Sequence, residues 1–265
     1  MEGTKIGFVG AGNMAQAVVK GLLSSGKPFN ISASATKETS ESYQKMKSLG
    51  VSMHVNNVEI CQSHVVVIAV KPYLVAKVMG EIKDHLTSDH VIVSLAAGVS
   101  VADLSQCAPT NVGVVRTIIS TTVSVQSGVV IMAHSPNTAN KHKKLLRDIF
   151  SVLGHFEMSD NEEYVSNFSG YPGCGVAYMC MLLEAYSDGG MLIGLPRTKA
   201  LQIAAKTMIG TAKMVLETGK HPAELKDEVC SPKGTTILGV QSLERSGFRS
   251  SIIDAIDTVK RGRRS

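Results

Sequence analysis

The chain has 265 residues, 44% hydrophobic and 18% charged, a balance too apolar and too weakly charged for a disordered chain. Its length suits one or two domains with a sizeable core, and its 24 Gly and 8 Pro follow no period, which excludes collagen-like and low-complexity classes. The formal net charge of +5 is local, because Lys260, Arg261, Arg263 and Arg264 supply most of it; the ending reads as a solvated tail rather than a nucleic-acid patch, and 5% aromatic content without Trp argues against base-stacking platforms.

Met1-Glu2-Gly3-Thr4-Lys5 passes into an apolar strand within a few residues, which leaves no room for a signal or transit peptide. No apolar run approaches the ~18 residues that span a membrane. Lys5-Ile6-Gly7-Phe8-Val9 is the first strand. Gly10-Ala11-Gly12-Asn13-Met14-Ala15 follows, and a helix runs from about Asn13 to Ser25, closed by Gly26. In this G-x-G-x-x-A pattern Gly10 allows the tight turn, Gly12 lets the backbone approach a pyrophosphate, and Ala15 lets helix and strand pack closely. The helix N-terminus offers unpaired N–H groups and a positive dipole end to phosphates. With a strand before it and a helix after it, the motif favours dinucleotide binding over a plain tight turn.

The second strand ends in Ile31-Ser32-Ala33-Ser34-Ala35-Thr36-Lys37. NAD sites place Asp or Glu at about this point to hold the ribose 2′-hydroxyl, and here no acid precedes Glu38. Hydroxyls and a Lys would accept a 2′-phosphate, so NADPH is expected over NADH; the alternative is a solvated loop. His64-Val65-Val66-Val67-Ile68-Ala69-Val70, His90-Val91-Ile92-Val93-Ser94 and Asn111-Val112-Gly113-Val114-Val115 are apolar runs without alternation, separated by helical segments. They imply a parallel sheet covered on both faces, an α/β doubly wound domain over residues 1–160. Val70-Lys71-Pro72 ends one strand, where ligands sit in such sheets; unaided, it reads as a Pro starting a helix. Leu95-Ala96-Ala97-Gly98 ends the next, with side chains small enough for a nicotinamide to lie close.

From Glu162 to Val259 no convincing strand remains. Gly170-Tyr171-Pro172-Gly173-Cys174-Gly175-Val176-Ala177-Tyr178 reads as a glycine-rich loop before a helix that carries Tyr178, Met179, Met181, Leu182, Leu183, Ala185 and Tyr186. Another helix starts at Pro196 and runs to Val215. Both are apolar over much of their circumference and need burial on more than one face, which predicts a homodimer formed by an all-α region over residues 161–265. A compact monomeric bundle and burial against the first domain are the alternatives. Cys230-Ser231-Pro232-Lys233-Gly234-Thr235-Thr236-Ile237 joins a helix over Ala223 to Val229 to one starting near Thr235. Its hydroxyls fit capping alone or a carboxylate cradle at a helix N-terminus, and the spacing does not separate the two. The five cysteines are odd in number and none is at C-x-x-C spacing, while the eight histidines show no metal-ligand spacing, so a reduced, cytoplasmic setting without a metal is expected.

Together these stretches resemble pyrroline-5-carboxylate reductase, most closely its shorter animal form. The similarity is carried by Ile6 to Ala15, Ala69-Val70-Lys71-Pro72, Ala96-Ala97-Gly98-Val99-Ser100, Asp188-Gly189-Gly190, Gly210-Thr211-Ala212-Lys213-Met214, His221 to Asp227 and Gly234-Thr235-Thr236-Ile237. The resemblance implies a Rossmann-type domain followed by an all-α dimerisation domain, dimers that associate further, and reduction of a cyclic imine by NADPH in the last step of proline synthesis. It places Gly10, Ala11, Gly12, Asn13, Met14, Ser34, Lys37, Asn57, Ala69, Lys71, Pro72 and Ala97 on the coenzyme. Backbone N–H groups around Gly234, Thr235 and Thr236, with Ser231 beside them, would hold the substrate carboxylate. The Thr236 hydroxyl would bond the ring nitrogen, and Glu162 would line the same pocket.

The chain departs from the family in places. Ile118-Ile119-Ser120-Thr121-Thr122 stands for a Met-Pro-Asn-x-Pro-like stretch, Pro172-Gly173-Cys174-Gly175 for Ser-Gly-Ser-Gly, and Ser231-Pro232-Lys233-Gly234 for Ser-Pro-Gly-Gly. A φ > 0 at Lys233 would strain it by roughly 1–2 kcal/mol; alternatively its ammonium tightens the carboxylate. These departures motivate a second reading, a nucleotide-binding relic acting as a scaffold or regulator without turnover. A third, a β-hydroxyacid dehydrogenase, shares Gly170-x-x-Gly173-x-Gly175 but needs a Lys where Met179 stands.

Overall fold

A computed structural model describes residues 3–261, the side chain of Lys260 apart. Arg263 and Arg264 of the basic ending lie outside the described residues, whereas the Arg261 guanidinium pairs with Asp257 one helical turn back. Contacts divide the chain into two compact units between Gly173 and Cys174.

The first unit is built on one eight-stranded sheet: β1 (Thr4–Val9), β2 (Phe29–Ser34), β3 (Ser52–His54), β4 (Val65–Ile68), β5 (Val91–Ser94), β6 (Gly113–Ile119), β7 (Gly128–His134) and β8 (Gly154–Ser159). Their spatial order is β3-β2-β1-β4-β5-β6-β7-β8. The first six run parallel, and β7 turns back antiparallel to β6 with β8 parallel to it. The expected parallel sheet therefore ends in a reversed pair. The cause is local: β6 and β7 are joined by a short 3-10 segment, Thr121–Val125, too short for the helical crossover a parallel neighbour needs.

The non-alternating runs are buried on both faces. In β4 all four residues are fully buried. Val65 and Val67 join Val18, Val19 and Leu22 of helix α1 (Asn13–Ser24) in one cluster. Val66 and Ile68 join the opposite cluster with Val78, Met79 and Ile82 of α3 (Val75–Ile82). Between these lies α2 (Glu41–Ser48). After them come α4 (Val101–Cys107), α5 (Asn140–Phe150) and α6 (Glu162–Asn167). Val165 of α6 is packed in the second cluster.

The second unit contains no strand among its described residues. It is made of α7 (Tyr171–Leu192), α8 (Arg197–Thr218), α9 (Pro222–Glu228), α10 (Thr235–Arg245) and α11 (Phe248–Arg261), α7 beginning just before the division. The expected loop over Gly170 to Tyr178 is a correction: only Gly170 precedes the helix. Pro172 falls in the first turn, where its missing N–H costs nothing, and the long apolar run that follows overrides the weak helix propensity of Gly173 and Gly175. No described helix is long and apolar enough to cross a membrane.

Candidate active site

The order β2-β1-β4 marks the point where successive strands depart to opposite sides of β1, the position at which open α/β sheets bind ligands. A cavity of about 420 Å³ lies there, at the carboxyl ends of β1, β2 and β4. Gly10, Ala11, Gly12, Ser34, Asn57 and Ala69 line it. Gly10 has φ +107°, and a Cβ on it would stand 2.7 Å from the Ala69 carbonyl oxygen, so only glycine lets the turn pass over β4. Gly12 is the N-cap of α1 and makes no side-chain cap, and a Cβ there would meet nothing within 4 Å. The first turn of α1 thus presents uncapped N–H groups to open space, which fits a pyrophosphate. Ala15, 1% exposed, packs inside the first unit's core.

The other expected coenzyme residues are not among those that line this cavity. Asn13 is exposed on the first turn of α1, and Met14 is partly buried against the core. Lys37 is exposed in the loop after β2, where its carbonyl accepts from the Ser40 N–H and hydroxyl. Lys71 and Pro72 are exposed and open a short 3-10 turn over Pro72–Leu74, so Pro72 does start a helical turn. Ala97 is exposed beyond β5, beside Gly98. The lining residues that escaped the reading of the sequence include Leu74, Lys77, Val78 and Glu81 of the segment through α3. No motif announces them, because α3 lies far along the chain and faces the cavity only once β4 is in place.

Ser34 is fully buried and its hydroxyl donates to Asn57 Oδ1 at 2.6 Å. Asn57 Nδ2 in turn donates to Glu81 Oε2 at 2.6 Å. Glu162 is held otherwise than a free pocket carboxylate: its Oε1 accepts from Arg116 at 2.9 Å and from the Val101 N–H at 2.9 Å. Arg116, 9% exposed, also donates to Ser166 at 2.8 Å and to Ser169 at 3.4 Å.

In the second unit, Ser231, Gly234, Thr235 and Thr236 are brought together at the start of α10. Gly234 is its N-cap and offers no side-chain cap. Its N–H donates to the Ser231 carbonyl at 3.0 Å, and a Cβ at Gly234 would require the Ser231 hydroxyl to move aside. Thr235 and Thr236 are exposed in the first turn. The residues act less as caps than as an open N-terminus.

Comparison with known proteins agrees with this layout. Residues 162–265 match the family model described as pyrroline-5-carboxylate reductase dimerisation, and residues 5–98 match NADP oxidoreductase coenzyme F420-dependent. Pyrroline-5-carboxylate reductase 3 of Macaca fascicularis is 37% identical, covering 96% of this chain and 93% of the relative. The pyrroline-5-carboxylate reductase of Arabidopsis thaliana is 35% identical over 96% of this chain and 92% of its own. The chain belongs to the pyrroline-5-carboxylate reductase family. A crystal structure of the Plasmodium falciparum pyrroline carboxylate reductase with NADP bound superposes with a TM-score of 0.87 at 26% identity, over 99% of this chain and 98% of that one.

Within the reductase family, the departures now have physical addresses. Ser120 is buried and built into the sheet: its Oγ accepts from the Val129 N–H at 2.9 Å and lies 2.7 Å from the Thr122 hydroxyl. Lys233 has φ +60°, so the strained alternative holds at this position. Met179 is an exposed helical residue, and no Lys supplies the proton a dehydrogenase would need there. All five cysteines are free, and burial pushes the Cys61 thiol up to about 11, which makes it inert at neutral pH. Among the described residues no group of three or more His, Cys, Asp or Glu could hold a metal.

Proposed function

We propose that this chain reduces 1-pyrroline-5-carboxylate to L-proline with NADPH, as a cytoplasmic homodimer. The observation that carries the reading is the uncapped N-terminus of α1 facing the cavity beside Gly12, in a chain of this family. A bound nicotinamide would supply a hydride to the C=N carbon. The protein's own task is to position and hold. A protonated iminium is already electrophilic, so no strong acid is needed on the nitrogen. The N–H groups of the first turn of α10 hold the substrate carboxylate, where the dipole favours an anion. The Thr236 hydroxyl accepts from the ring N–H and fixes the face presented to the coenzyme. Residues 161–265 act as the substrate and dimerisation domain in this reading. Thr36 and Lys37, exposed just after β2, favour the 2′-phosphate, with NADH used less well.

The test follows NADPH absorbance with pyrroline-5-carboxylate, against NADH and a panel of 2-hydroxy acids. Oxidation of NADPH by the imine alone supports the proposal. Coenzyme binding without turnover on any substrate selects the scaffold reading instead. Thr236→Ala is expected to lose roughly 10–1000-fold in kcat/KM, about 1.4–4 kcal/mol of transition-state stabilisation. An unaffected variant removes Thr236 from the mechanism.

A further inference from the structure

In coenzyme sites of this topology the acid that holds a ribose 2′-hydroxyl stands at the end of β2. Here that strand end carries Ser34, Ala35, Thr36 and Lys37, and no carboxylate. The cavity nevertheless has one. Glu81, on the last turn of α3, lines the same space as Ser34 and Asn57. The three form a chain: the buried Ser34 hydroxyl donates to Asn57 Oδ1 at 2.6 Å, and Asn57 Nδ2 donates to Glu81 Oε2 at 2.6 Å. The amide of Asn57 is therefore fixed in orientation from both ends. Its one strong donor group faces a carboxylate rather than standing wholly free for an incoming phosphate.

We infer that Glu81 is a specificity-determining residue of the coenzyme site, replacing from α3 the carboxylate that β2 lacks and biasing the site toward a 2′-hydroxyl against a 2′-phosphate. This rests on the proposed coenzyme reading of the cavity. The chemistry follows from charge and donor count. A carboxylate accepts from a ribose hydroxyl at no electrostatic cost, whereas a dianionic phosphate in the same place meets its repulsion and competes with it for Asn57 Nδ2. Lys77 lies one helical turn before Glu81 and lines the cavity too, so the site holds opposed charges on one face of α3. The preference for NADPH is the difference between the ammonium and hydroxyl groups that favour it and the Glu81 carboxylate that opposes it. Glu81 is exposed, so its charge acts through partly solvated space and its effect is modest and screened by salt.

The experiment measures Kd for NADPH and for NADH, by titration calorimetry, on the full-length wild type, Glu81→Gln and Glu81→Ala. Gln keeps an acceptor for Asn57 and loses only the charge. For Glu81→Gln the preference for NADPH over NADH should rise about threefold to fivefold, the size expected of one exposed charge, mostly through tighter NADPH. The rise should shrink in 1 M salt, which a merely structural role would not produce. Glu81→Ala frees Asn57 as well and should weaken NADH further than Glu81→Gln does. An unchanged ratio in Glu81→Gln, with both coenzymes bound by the wild type, overturns the inference and leaves the coenzyme reading standing. Failure of the wild type to bind either coenzyme overturns both.

Discussion

A methyl group placed on Gly12 meets no atom within 4 Å, whereas one on Gly10 meets the Ala69 carbonyl at 2.7 Å in a backbone with φ +107°. The two glycines of one motif therefore fail in different ways. Gly10→Ala should lose roughly 1–3 kcal/mol of stability. Gly12→Ala should melt like the wild type and lose coenzyme affinity, because its Cβ fills space the pyrophosphate needs. Thermal melts and NADPH titrations on the pair separate the two effects. Lys233 gives the complementary case: at φ +60° its side chain is strained, so Lys233→Gly should stabilise the protein by up to about 1 kcal/mol in denaturant unfolding. If its ammonium also serves the carboxylate, KM for the imine rises while KM for NADPH stays put. The glycine motif was legible in the sequence because each glycine answers a local backbone demand. Glu81 was not, since its partner Asn57 is 24 residues away and only the fold puts them in contact.

Among elements, the ones read most clearly were those whose pattern has a single explanation. The runs over residues 6–9, 65–68, 91–93 and 112–115 lack apolar–polar alternation and are buried throughout, as a doubly covered strand requires. β7 and β8 were not read, because the signal that reverses them lies in the length of a connection rather than in the strands themselves. Glu162 was placed beside the substrate by family resemblance, and the structure adds what it holds: α6 is pinned to β6 through Arg116 and to the start of α4 through the Val101 N–H. Arg116 is nearly buried and its side chain is 11% exposed, against 29% for Glu162. Arg116→Met keeps the volume and leaves the carboxylate without its cation, so a loss of about 2–4 kcal/mol is expected, toward the low end because Glu162 reaches solvent. Urea unfolding measures it. A double variant with Glu162→Gln should recover part of the loss, which identifies the uncompensated charge as the cause.

For the whole molecule the decisive contrast is in how much each unit buries. The first unit has two apolar clusters, one on each face of its sheet. The second unit, with five helices among its described residues, buries few apolar side chains there, among them Ala200, Ala204 and Leu225. Leu192, Leu216 and Ile193 are 89%, 83% and 81% exposed. Helices in water draw most of their stability from packing an apolar face, and α7 and α8 are 22 residues each with little of that face covered in a single chain. A second copy supplies the missing surface, and the match of residues 162–265 to a dimerisation family supports that occupant. Folding of this half is then tied to association, so the melting temperature should rise with protein concentration. Light scattering at micromolar concentration should give the mass of a dimer or a multiple of it. Replacing both Leu192 and Leu216 by Glu puts charge into the proposed contact and should shift the mass toward the monomer, lower Tm and remove its concentration dependence. A wild-type monomer with a concentration-independent Tm would mean that these helices stand exposed without a partner, and the dimer reading would fail.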